Sequence, residues 1–304
     1  MAFTDNDRGA RANEPHGAHG AYRDLAGRPI DPHAIVAIHS QARFALRVLL
    51  EALRARRVLA APVKGIVTAG WLYPSVSERP ISDVDVRVAP SALDLVLAIA
   101  KQNRWTIAKN DDVYRSLEIV IEGVTFDIET HFGALGMSSL DTTAALARGT
   151  RTTETFGVEH CRLTVHDHAL LLALNVLKDR VGESAPWAVE DLVRVAREPT
   201  FDPDKLAAIA WSAANASALW AIATWLSETR ASAPWGDVAR AIGSVPREAY
   251  ATRVREKLAK ASSRTALDRA ERRVLGRSAS DRIEQRAKAL ATMGRWGARR
   301  LLAW

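Results

Sequence analysis

Residues 79–88 read RPISDVDVRV, and from Ile81 the positions alternate apolar and polar, which predicts a strand over 81–88. Alternation puts Val84, Val86 and Val88 on one face, and Asp83, Asp85 and Arg87 on the other. The two aspartates then lie about 7 Å apart at Cα on one surface. Carboxylates that close repel each other unless a cation or water separates them. A later segment, GVTFDIETHF at 123–132, has the same pattern. Its apolar side is Val124, Phe126, Ile128 and Phe132, and its polar side is Thr125, Asp127, Glu129 and His131.

The rest of the chain reads as an α+β unit followed by helices. Asp31-Pro32 is an N-cap followed by proline at the first helical position, so a helix is expected from there to about residue 57. Ile35, Ile38, Ala42, Ala45, Leu49 and Leu53 recur on its inner face. VLAAPVKG at 58–65 predicts a short strand ending in a Lys-Gly turn. IVTAGWLYP predicts a short helix closed by Pro74, and a further helix follows Pro90. After a hairpin-like region, two strands flank Glu122-Gly123. From about residue 164 the pattern is helical throughout, with breaks at Pro186, Pro199, Pro203 and Pro234. The expected division is an unstructured 1–30, an α+β core at 31–163 and a helical domain at 164–304.

Composition changes this picture in three places. Residues 1–30 are rich in Gly, Asp, Asn and Arg without period, so His16 and His19 belong to a low-complexity segment. Residues 251–304 hold 15 Lys and Arg against 5 Asp and Glu, a surplus of +10; the whole chain is +7, so the first 250 residues carry −3. This basic tail, with Leu290 and Met293 in an apolar stripe among arginines, suits an anionic partner or a solvated helical face. Cys161 is the single cysteine, which excludes an internal disulfide and a cysteine-based zinc site. The absence of an apolar leader leads us to expect a cytoplasmic protein with no transmembrane segment. The run at 206–226 reads as buried helix.

The chemistry rests on the two acid-rich faces. Amphipathic strands with solvated polar faces would explain either one alone. If the strands lie side by side, their carboxylates converge and need cations. All-oxygen ligation favours Mg²⁺ or Mn²⁺, and two such ions suit displacement at phosphorus.

The blocks VKG at 63–65, LYP at 72–74, RPISDVDVRV and IETHFG at 128–133 resemble, in order and approximate spacing, a bacterial nucleotidyltransferase family of the DNA polymerase beta superfamily. Its members usually read Leu-Lys-Gly, Tyr-Pro, Arg-Pro, Asp-x-Asp and Asp-Leu-His. The likeness is strongest over 35–135 and continues more weakly to about 230, where WAVEDLVRVA at 187–196 resembles a Trp…Asp-Leu helical segment. It implies a polymerase-beta-like core, a small mixed sheet with flanking helices, ahead of an all-helical domain. It also implies Mg²⁺-dependent transfer of a nucleoside monophosphate from a nucleoside triphosphate, with release of pyrophosphate.

Carried over by residue, Asp83 and Asp85 match the metal-binding pair, and Glu129 falls at the third acid. Asp127, on the same face, is the competing third ligand. Lys64 and Gly65 match the nucleotide-binding turn, where glycine lets backbone approach phosphate. Arg79 either contacts phosphate or buttresses the loop against Asp85. His131 orients Glu129, touches nucleotide, or is a structural histidine at a strand end. Lys178 and Arg180 lie where a helical domain could close over the triphosphate, or on a solvated helix face. Asp191 reads as a tie between helices. HDH at 166–168 reads as helix capping rather than a metal pair. The acceptor is left open among a small molecule, a tRNA end and a protein hydroxyl. A second reading is a catalytically silent scaffold that binds RNA or another polyanion through the basic tail.

Overall fold

The computed structural model describes residues 31–178, 186–260 and 265–302. Residues 1–30, with His16 and His19, and Arg180 lie outside the described residues. The chain opens with helix α1, Pro32–Ala55, whose N-cap Asp31 accepts a hydrogen bond from the His33 N–H. Its buried stripe is Ile35, His39, Ala42, Ala45, Leu46, Leu49, Leu50 and Leu53. Ile38 was expected there but is 45% exposed, because His39 turns inward to bond the Arg79 carbonyl at 2.7 Å.

Strand β1, Ala60–Val63, leads into α2, Gly65–Trp71. β2 is Val84–Val88, shorter than the alternation suggested, so Asp83 sits in the bend just before it. α3, Leu93–Gln102, precedes β3, Thr106–Asp111, β4, Ser116–Ile121, and β5, Val124–Glu129. The sheet order is β1-β2-β5-β4-β3, and only β2 and β5 are parallel neighbours. One sheet face carries Val84, Val86, Val88, Phe126 and Ile128 into a core shared with α1 and α3. The other face carries the acids.

α4, Thr142–Arg148, and a small hairpin, β6 (Thr150–Thr152) with β7 (His160–Arg162), lead into the helical part. That hairpin and β3 were not distinguished as strands in the sequence. α5, Val165–Lys178, is buried almost all round and forms its axis. Around it lie α6 (Pro186–Val195), α7 (Pro203–Ser212), α8 (Ala216–Arg230), α9 (Ala233–Ile242) and α10 (Glu248–Ala259). The apolar run 206–226 is two helices, not one. It breaks at buried Asn215, whose Nδ2 donates to the carbonyls of Met137 at 2.8 Å and Ala279 at 3.2 Å. The helical core is continuous with Ala61, Val63 and Phe132, so it packs directly on the acidic side of the sheet; Phe132, expected on the apolar face with Phe126 and Ile128, lies beyond the end of β5, where the alternation no longer holds. No helix among the described residues is long and apolar enough to cross a membrane.

The described residues of the basic segment are mostly helical. After α10 come α11, Ala266–Arg277, and α12, Ile283–Leu302. Arg253, Lys257 and Arg272 are already paired. Lys257 bonds Asp268 and Glu271 at 2.5 and 2.6 Å, and Arg253 bonds Glu271 and Glu256 at 2.6 and 2.9 Å. Arg272 is 1% exposed and joins Asp268 to the Lys257 carbonyl. An added Cβ at Gly276 would lie 1.8 Å from the Leu177 carbonyl oxygen, so α11 runs hard against the last turn of α5.

Candidate active site

Parallel pairing of β2 with β5 sets Asp85 opposite Asp127 and Arg87 opposite Glu129. Paired positions share a face, so the two acid-bearing strands lie side by side, as the sharper of the two sequence readings required. β4 extends the surface by setting Glu118 opposite Asp127. The face is not solvated on β2: Asp85 is 6% and Arg87 1% exposed. The helical core covers it, and that cover makes every charge on it need a partner.

Two acids have theirs. Lys64 Nζ donates to Asp85 Oδ1 at 2.5 Å. Arg87 Nη2 pairs with Glu129 Oε2, and Lys178 Nζ, from the last turn of α5, donates to Glu129 Oε1 at 2.6 Å. Burial alone would raise the Glu129 pKa, but Arg87 and Lys178 outweigh it and hold the carboxyl well below the usual range. The same pairing keeps the Lys178 ammonium above its ordinary value despite burial. Arg87 Nε and Nη1 remain buried without a hydrogen bond.

Asp127 is different. Burial, then the charges of Glu129 and Asp85, push its pKa up to about 6. Asp83, half-buried, accepts from Ser82 Oγ at 2.8 Å. His131 is pushed down to about 4 by burial and by the charges of Lys288, Arg87 and Arg115, so its ring is neutral.

The Lys-Gly turn is strained and tightly packed. Lys64 has φ 56° and ψ −138°, a region that non-glycine residues rarely occupy. Its N–H is held by His168 Nε2 at 3.3 Å. A Cβ on Gly65 would lie 2.6 Å from Ile81 Cγ2. Close packing therefore explains this glycine before any ligand is considered.

Arg79 is not gathered with the acids, nor does it buttress Asp85. Its guanidinium grips Asp191 of α6, with Nε at 3.0 and 3.2 Å and Nη2 at 2.9 Å from the carboxylate oxygens. Tyr73 Oη at 2.8 Å and Thr68 Oγ1 at 3.2 Å complete the same carboxylate. The Tyr-Pro and Arg-Pro blocks thus meet the helical segment in one buried knot, and Asp191 is the tie expected of it. In the HDH stretch, Thr164 Oγ1 accepts the Asp167 N–H at 3.1 Å and caps α5, while Asp167 receives Arg148 at 2.7 Å. His166 Nε2 accepts the Asp202 N–H at 3.0 Å.

Sequence reasoning placed Arg87 on the polar face without giving it a role, and read His168 only as part of the helix-capping HDH stretch. The signal for Arg87 was its position two residues beyond Asp85. Nothing local pointed to the role of His168 at the Lys-Gly turn, because its partner is the backbone of residue 64.

Among the described residues, no three carboxylate, imidazole or thiol groups stand together as a formed metal cage. Lys64 pairs with Asp85, while Arg87 and Lys178 pair with Glu129. The donor chemistry still suits a hard cation, since Asp83, Asp85 and Asp127 offer oxygen alone.

A search of curated protein sequences returns no match. Among solved structures, one described as "tRNA-processing enzyme (apo form I)" aligns over 82% of this chain and 79% of its own, at 11% identity and a TM-score of 0.25. A score that low carries no argument about fold or substrate. A family model described as "Uncharacterised nucleotidyltransferase" matches residues 33–229. That span runs from α1 through α8, taking in both acid-bearing strands, the Lys-Gly turn and the Asp191 knot, and the chain belongs to this nucleotidyltransferase family.

Proposed function

We propose that the protein is a Mg²⁺- or Mn²⁺-dependent nucleotidyltransferase that moves a nucleoside monophosphate from a nucleoside triphosphate to an acceptor oxygen. The observation that carries this reading is the register of β2 and β5, which sets Asp127 beside Asp85 with Asp83 two residues upstream. Asp83, Asp85 and Asp127 would hold the metal, with Asp127 rather than Glu129 as the third acid, because Glu129 is committed to Arg87 and Lys178. Bound there, the cation would offset charge on the phosphates of the donor nucleotide.

The chain's own groups have distinct tasks. Lys64 leaves Asp85 and meets the polyphosphate, since an ammonium on a four-carbon stem can swing between two anions. Lys178 and Arg87 keep Glu129 ionised and fixed. Asp127, the carboxylate in register with Asp85, would take the acceptor's proton. Arg79 holds α6 against the sheet through Asp191.

In the alternative scaffold reading, residues 251–304 bind a polyanion through cations other than Arg253, Lys257 and Arg272, which are paired internally.

The test incubates purified protein with each α-³²P-labelled nucleoside triphosphate, Mg²⁺ or Mn²⁺, and cell extract, beside Asp83→Asn. Label moving onto protein, RNA or a small molecule, and lost in the variant, is the expected result and names donor and acceptor class. Full transfer by Asp83→Asn would overturn the reading.

A further inference from the structure

A cavity of about 450 Å³ lies behind the Lys-Gly turn, between α2, the β6–β7 hairpin and the start of α5. None of the carboxylates of the sheet lines it. It opens on the other side of β1: Ala61 and Val63 share the acid face with Arg87 and Asp85, whereas Pro62, which lines the cavity, pairs with Val86 on the opposite face. Its volume is in the range of small-molecule sites.

Two aromatic–imidazole pairs form its walls. Trp71 meets His168 edge-on with ring centroids 5.4 Å apart, and Phe156 meets His160 at 4.9 Å. Both histidines have a fixed tautomer. His160 Nδ1 donates to the Val158 carbonyl at 2.9 Å, so its Nε2 is a free acceptor. His168 Nε2 accepts the Lys64 N–H, so its Nδ1 carries a proton to donate. Neither of these remaining ring nitrogens hydrogen-bonds to a described residue. Burial keeps both rings neutral near pH 7.

We propose that this cavity is a second ligand site, and that it takes a planar, uncharged heteroaromatic ring with a hydrogen-bond donor and acceptor on its edge, of the chemical class of a nucleobase in a free nucleoside. Aromatic walls recognise a flat ring, and one imidazole donor with one imidazole acceptor recognise an edge that offers both. The rings are neutral, and the two charged side chains that line the cavity, Arg162 and Glu198, are opposite in sign, with Glu198 accepting from Trp71 Nε1 at 2.8 Å, so the lining favours an uncharged ligand over a phosphate. The His168–Lys64 bond links the cavity to the residue whose side chain sits on Asp85, so an occupant here bears on the turn that serves the acids.

The site lies apart from the carboxylates of the sheet, and the test, run without metal or triphosphate, separates the two. Adenosine, guanosine, cytidine and uridine, phosphate-free and without divalent metal, are titrated into the full chain by calorimetry and saturation-transfer NMR. Gly70→Leu fills the cavity from α2, where a new Cβ meets nothing nearer than Arg43 Nη1 at 3.6 Å. Thr200→Trp closes it from an exposed position, so one variant folds if the other does not. The expected result is submillimolar binding of at least one nucleoside, weakened at least tenfold by either substitution and unchanged in Asp83→Asn. No binding by any of the four, equal binding in the folded cavity variants, or loss in Asp83→Asn would each overturn the proposal.

Discussion

Lys64 Nζ donates to Asp85 Oδ1 at 2.5 Å, across a strand pair in which Val63 and Asp85 face each other in register. The lysine therefore competes with any metal for that oxygen. A hydrogen bond to a charged group contributes about 1.5–3 kcal/mol, so removing the competitor matters. Lys64→Ala should strengthen Mn²⁺ binding about tenfold in the absence of nucleotide. Electron paramagnetic resonance titration of free Mn²⁺ reads this directly. Weaker or unchanged affinity would mean that the lysine does not guard the site. With nucleotide present the same variant should have a raised KM, because the cation that meets the polyphosphate is gone.

The pKa of Asp127 gives a dependence on pH with a definite sign. Its ordinary value is 3.8, and in the folded protein it stands at about 6. Folding therefore favours the protonated form. The contribution to stability is fully present below 3.8 and is lost as pH rises through about 6. Asp127→Asn stays neutral at every pH. After allowance for partial exposure, it should exceed the wild type in stability by about 1–2 kcal/mol at pH 7.5, with the gap closing toward pH 4. Urea unfolding at a series of pH values measures both curves. Parallel curves would mean that Asp127 is not held in the environment described.

What the sequence made legible follows from the reach of each signal. β2 and β5 were readable because period-two alternation is local, and α1 because Asp31 and Pro32 are adjacent. β3 was not, since Lys109, Asn110 and Asp111 sit on an outer strand exposed over most of its length and carry no apolar alternation. The acids could be named one strand at a time. Which of them are neutralised depends on the register that sets Arg87 against Glu129, and on α5 delivering Lys178 from 49 residues away. Arg79 was assigned to phosphate or to Asp85 because the carboxylate it holds lies 112 residues on, and no local pattern announces that partner.

That partner supports a stability prediction. Asp191 is fully buried and receives Arg79, Tyr73 and Thr68 together. Its charge also drives the Tyr73 hydroxyl, already raised by burial, far above the ordinary phenol value, so the tyrosine remains a donor throughout the working pH range. Asp191→Ala would leave the largely buried Arg79 guanidinium without its carboxylate. Breaking one side of a buried ion pair costs about 3–5 kcal/mol. Denaturant unfolding should show that loss, and Arg79→Ala on top of it should cost much less than it does alone. Additive losses would show that the two do not act as one unit.

Gly65 distinguishes packing from ligand binding at the Lys-Gly turn. A Cβ there would stand 2.6 Å from Ile81 Cγ2, well inside contact distance, with the nearest Arg79 nitrogens at 3.5 Å. Gly65→Ala should destabilise the fold by about 1–3 kcal/mol through overpacking. Ile81→Ala removes the clashing methyl, so the double variant should be more stable than the sum of the two single losses by about 0.5–3 kcal/mol. Thermal or urea unfolding of the four proteins measures that coupling. Turnover supplies the second readout. If the glycine serves packing alone, the double variant regains its KM for nucleotide together with its stability. If stability returns while KM stays high, the missing Cβ is also needed where the backbone approaches phosphate, and the turn has both tasks.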